Sequence, residues 1–147
     1  TRRSSDLGGS EMLTRRMDLT ISTNKLEQSR DFYRDYLGFE LVFENDNYIE
    51  MLAQGSTTMG VSFVTPELSG GEKFTGEGII LSLEAADVDA EFARLKAAGV
   101  RICEEIRDKA WGERSFVIND PNGVHVYIYK AIPPTPEYQE IFDKYKK

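Results

Sequence analysis

Alternation places His125, Tyr127 and Tyr129, an imidazole and two phenols, on one side of a single extended segment. An imidazole is the natural group for proton transfer near neutral pH, and two phenols offer flat faces for a planar ligand. Acidic candidates for a shared site are Asp18, Glu50 and Glu84. Trp111 adds an indole, and Arg114 adds a guanidinium able to clamp a carboxylate. His125 is the only histidine and Cys103 the only cysteine. That scarcity excludes zinc sites built from Cys and His, an intrachain disulfide and a paired-cysteine redox centre. Any metal site would have to rest on carboxylates.

Each candidate also has a plain structural role open to it. With no nucleophile or metal fixed beside it in the pattern, His125 serves equally as a hydrogen-bonded structural residue. The aromatics serve equally as packing, and the strand carboxylates as solvated charges. Cys103 sits among acidic neighbours, a poor setting for a nucleophile.

Periodicity supplies the elements that must position these residues. Asp18 to Thr23 alternates as a half-buried strand. Leu26, Ser29, Phe32, Tyr33, Tyr36 and Leu37 form a helical stripe, with Asn24 as its N-cap and Gly38 placed to stop it. Strands follow at 39–44, 48–53 and 59–64. The segment Ser69 to Gly78, with four glycines, reads as a flexible connector.

The pattern then repeats. A strand at 79–84 precedes a second stripe of Val88, Phe92, Leu95 and Ala98 ended by Gly99, and strands at 100–106, 113–119 and 124–130 complete it. Asp120-Pro121-Asn122-Gly123 has the order of a type I turn. The fold class is therefore α+β: two βαβββ modules whose sheets form a curved mixed cleft, followed by an amphipathic C-terminal helix. Residues 1–16 read as a disordered tail or expression remnant, with Arg2-Arg3 and Arg15-Arg16 solvated. Module one spans 17–66, the linker 67–78, module two 79–132 and the terminal segment 133–147.

If the apolar strand faces meet the helices, the core holds Leu19, Ile21, Val61, Phe63, Ile79, Leu81, Leu83, Val124, Val126 and Ile128. The opposite faces then carry Asp18, Ser62, Ile80, Glu84, His125, Tyr127 and Tyr129, a mixture of aromatic bodies and polar tips suited to a small-molecule cleft. The 147 residues carry a formal charge of −7, which argues against nucleic acid and permits steering of a cationic ligand. No apolar run is long enough to span a bilayer, so the expected location is the cytoplasm, with no membrane partner.

Leu26-Glu27-Gln28-Ser29-Arg30-Asp31-Phe32-Tyr33, running on to Leu37-Gly38-Phe39, resembles a signature of the glyoxalase / bleomycin resistance / extradiol dioxygenase superfamily, the vicinal oxygen chelate fold. Asp87 to Val100 resembles the second helix of that family. Trp111-Gly112-Glu113-Arg114-Ser115-Phe116 with Asp120-Pro121-Asn122-Gly123 resembles its closing hairpin. The resemblance covers about Asp18 to Lys130.

It implies metal-ligand positions at Asp18, Ser62, Ile80 and Tyr127, of which only Asp18 is a competent ligand for a divalent cation. The substitutions resemble the metal-free, drug-binding branch. The resemblance thus implies a homodimer that sequesters a small aromatic or cationic molecule without a cofactor; beside its four positions, the residues read from alternation and chemistry, Glu50, Glu84, Trp111, Arg114, His125 and Tyr129, complete the expected binding set. The alternative it leaves is a divergent lyase, isomerase or dioxygenase using Asp18, Glu84 and His125, with a divalent metal as the one conceivable cofactor.

Overall fold

The structure, a computed structural model, describes residues 11–146. Module one runs β1 (Met17–Ser22), α1 (Leu26–Leu37), β2 (Glu40–Glu44), β3 (Tyr48–Leu52) and β4 (Met59–Val64). Module two runs β5 (Ile80–Glu84), α2 (Val88–Ala97), β6 (Ile102–Lys109), β7 (Glu113–Asn119) and β8 (His125–Ala131), and α3 (Pro136–Asp143) follows. The two sheets have strand orders β1-β4-β3-β2 and β5-β8-β7-β6. In each, a three-stranded antiparallel meander brings its last strand back beside the first, in parallel. No ladder joins the sheets among the described residues, so β1 and β5 each present an unpaired edge.

Both helix stops follow from glycine. Gly38 and Gly99 adopt positive φ of 72° and 84°, where a side chain would be strained. At the start of α1, Lys25 rather than Asn24 holds the N-cap position, and Thr23 Oγ1 accepts from the Lys25 amide. The β6 strand is longer than its alternation suggests, because register shifts on either side of Glu104 break the period against β7.

One face of each sheet meets its helix. Ile21, Ile49, Met51, Val61 and Phe63 pack with Phe32 and Tyr33, while Phe116, Ile118, Val126 and Ile128 pack with Val88 and Leu95. Leu19, Ile79, Leu81 and Leu83, expected in the core, are only partly buried. The last two line an apolar groove of about 960 Å³ between the modules.

The modules are latched through the Asp120-Pro121-Asn122-Gly123 turn. The Tyr33 hydroxyl donates to Asp120 Oδ2 at 2.8 Å, and Asp120 Oδ1 accepts from the amides of Asn122 and Val124. Thr23 Oγ1 donates to Asn122 Oδ1, and Asn122 Nδ2 donates to Ser29 Oγ. Burial, and then the charge and hydrogen bond of Asp120, push the Tyr33 hydroxyl far above the ordinary phenol range. The connector also touches the latch. Phe74 N donates to Ser22 O, and Gly76 backs onto Gly123, where an added Cβ would lie 3.0 Å from the Gly76 backbone. No helix of the described residues is long and apolar enough to cross a membrane.

Candidate functional site

The exposed face of module one is polar. Register aligns Asp18 with Gly60, and Ser62 with Thr20 on one side and Glu50 on the other. Glu50 shares this face because its neighbours Ile49 and Met51 are buried against α1. Arg16, expected to be solvated, instead lies over the sheet: Nε donates to Asp18 Oδ2 at 3.0 Å and Nη2 to Glu50 Oε2 at 2.7 Å. These hydrogen bonds, Glu50 first, hold the guanidinium above its usual range. Gly60 lies beneath it, where a Cβ would come 2.9 Å from the Met51 carbonyl oxygen and 3.2 Å from Arg16 Nη2. Ser62 is buried, and its hydroxyl has no hydrogen-bond partner among the described residues.

The corresponding face of module two is aromatic. Tyr127 and Tyr129 lie with ring centroids 5.8 Å apart. The Tyr127 hydroxyl and the Trp111 Nε1–H both donate to Glu113 Oε1 at 2.8 Å, so one carboxylate orients both rings. Beneath them lies Lys109. Its ammonium donates to Ser115 Oγ at 2.8 Å and forms a contact ion pair with Glu104 Oε1 at 2.5 Å, out of hydrogen-bond alignment. It also sits 5.0 Å from the Tyr127 ring centroid and 5.3 Å from that of Trp111. Burial raises the Tyr127 hydroxyl. Burial and the negative charges of Glu84 and Glu113 raise Tyr129.

Together Trp111, Tyr127, His125, Ile80, Lys109 and Arg107 line much of a recess of about 370 Å³. His125 pairs in register with Ile80, is exposed, and makes no side-chain hydrogen bond among the described residues. Cys103 also lines the recess, but no hydrogen bond joins its thiol to His125 among the described residues. Glu84 is exposed at the β5 edge opposite Tyr129. With Asp18 it borders the inter-module groove rather than this recess, so one chain does not bring Asp18, Glu84 and His125 to one recess.

Arg114 belongs to neither face. Its guanidinium turns to the helix side of the sheet, where it binds Asp89 on α2 and Asp108, so it is not a cleft residue. Alternation explains this, since the cleft side of β7 carries Glu113 and Ser115. Sequence reasoning missed Glu113, Lys109, Glu104, Arg107 and Arg16. Glu113 was legible as the neighbour of Arg114 on the opposite strand face. Lys109 and Glu104 were hidden by the β6 register shifts, and Arg16 by its place before the first strand.

The four positions implied as metal ligands do not fit a divalent cation. Asp18 is ion-paired with Arg16, Ser62 is a lone buried hydroxyl, Ile80 has no donor, and Tyr127 is a neutral phenol bonded to Glu113. Among the described residues no group of three or more His, Cys, Asp or Glu could hold a metal ion.

A family model described as the Glyoxalase/Bleomycin resistance protein/Dioxygenase superfamily matches residues 17–128. The chain belongs to this superfamily. Its structural likeness includes a member of the superfamily from Sphaerobacter thermophilus, 27% identical with a TM-score of 0.67, covering 82% of this chain and 99% of that one. A bleomycin resistance protein of Geobacillus stearothermophilus is 23% identical over 123 residues, 76% of this chain and 93% of that protein. An uncharacterised protein of Mycobacterium bovis is 35% identical over 65 residues, 41% of this chain, and the match spans only 43% of that relative's length. Within the superfamily the two βαβββ modules seen here are the expected architecture.

Proposed function

We propose that this chain binds and sequesters a small aromatic molecule, without a metal and without chemistry, as a bleomycin resistance protein of its superfamily would. The observation that carries the reading is the module-two face: Trp111 and Tyr127 fixed by one carboxylate beside an open recess. Stacking contributes about 0.5–1.5 kcal/mol per aromatic contact beyond area burial, so two oriented rings supply useful affinity. The donor set at Asp18, Ser62, Ile80 and Tyr127 supports the metal-free form.

The working unit in this reading is a cytoplasmic homodimer. The module-one and module-two faces lie on separate sheets with unpaired β1 and β5 edges, and a second copy would set one face against the other. Sedimentation should give a dimer, and a stable monomer overturns that part.

Trp111 is the only tryptophan, so its emission reports this face directly. Titration with planar aromatic compounds should quench it saturably, at one ligand per chain, unchanged by chelator and lost in Tyr127→Ala. Binding abolished by chelator, or turnover of the bound compound, overturns the reading.

A further inference from the structure

Net charge and sequence pattern both suggest a cationic ligand, yet the recess has the opposite character. On a chain of charge −7, its lining carries two cations, Arg107 and Lys109, against one carboxylate, Glu104. Lys109, with a side chain only 2% exposed, places its ammonium against the Trp111 and Tyr127 rings. A cation draws π density towards itself, so each ring then offers less to a second cation on its outer face. The position that a ligand's ammonium would take in this box is filled by the chain. On module one the carboxylates are likewise met by a cation of the chain, where Arg16 covers Asp18 and Glu50 in the open. Arg107 is different: exposed at the recess and only loosely paired with Glu104 at 3.8 Å, it keeps its guanidinium fork available.

We propose that this recess takes an aromatic anion, its ring on the outer faces of Trp111 and Tyr127 and its carboxylate or ionised phenol towards Arg107. The inference rests on the binding reading above and fixes the charge of its ligand. Lys109 is a positioning residue, acting through the two rings. Glu113, which carries no cation of the chain among the described residues, is the group that a cationic ligand would use instead. The test sets these possibilities against each other.

Calorimetric titration of the full chain with naphthoate and with naphthylmethylammonium compares two probes of like shape and opposite charge. Wild type should bind naphthoate at least about threefold more tightly, the scale of one exposed cation–π or ion-pair contact. Arg107→Gln, on an exposed side chain, should weaken naphthoate without weakening the ammonium probe. The pair Lys109→Met with Glu104→Gln removes the buried ammonium together with its half-exposed counter-ion and should shift the ratio towards the ammonium probe. A wild type that prefers the ammonium probe, or a ratio unmoved by both variants, overturns the inference and leaves aromatic binding standing. Binding of neither probe overturns both.

Discussion

The two modules share one strand order and differ in how each handles its charges. On module one, Arg16, Asp18 and Glu50 are all about one-third exposed and meet beside a lone glycine. On module two, the Lys109 side chain is 2% exposed, beneath two rings, with Glu104 as its counter-ion. A pair left in water contributes little, because solvent screens it and ordering two long side chains costs entropy. A sealed ammonium is costly without its partner. The same backbone thus carries a replaceable polar surface on one side and a pre-set aromatic box on the other, and only the second has a shape a ligand could read.

Matched truncations would break this contrast most directly. Glu104→Ala leaves the sealed Lys109 ammonium with only Ser115 and the rings; with Glu104 itself 40% exposed and water able to enter in its place, it should cost about 1–3 kcal/mol in urea unfolding. Asp18→Ala leaves Arg16 with Glu50 and water and should cost less than about 1 kcal/mol. Equal losses would erase the distinction.

Tyr33→Phe probes the latch that couples the modules. It removes one donor from the buried Asp120 carboxylate and should cost about 1–3 kcal/mol by the same measurement. Glu113→Gln should weaken aromatic binding about three- to tenfold, read by the quench of Trp111, because the rings lose a charged acceptor.

The smallest effect is in acid. Arg114 holds Asp89 below the usual carboxylate range, chiefly through their hydrogen bond. A depressed folded value means the stabilisation is present above the unfolded carboxylate value and lost as pH falls through the folded one. Arg114→Met should therefore lower the neutral Tm slightly and narrow its gap to the acid Tm, leaving the slope of Tm with pH above the carboxylate range unchanged.

The fold was legible where backbone chemistry forces the outcome. Gly38 and Gly99 stop the helices, alternation separates Val126 and Ile128 from Tyr127 and Tyr129, and the Asp120 turn closes the last hairpin. The site was legible only in part. Trp111, His125 and Tyr127 do share a recess, but the charges around them depend on contacts that periodicity cannot carry. Arg16 precedes the first strand, Lys109 follows two register shifts, and Arg114 was assigned to the cleft although its alternation with Glu113 turns it to α2. Asn24 lost the cap position because Thr23 supplies the side-chain acceptor at that turn.

The latch also sets an order of events during synthesis. Tyr33 and Asp120 are 87 residues apart, and Thr23 and Asn122 are 99 apart, whereas each sheet closes within its own module. Module one can complete its sheet while the chain is still being made, but Tyr33 keeps its hydroxyl in water until the turn at 120–123 arrives. Docking of the halves therefore comes late in translation, after the second helix and most of the second sheet have emerged.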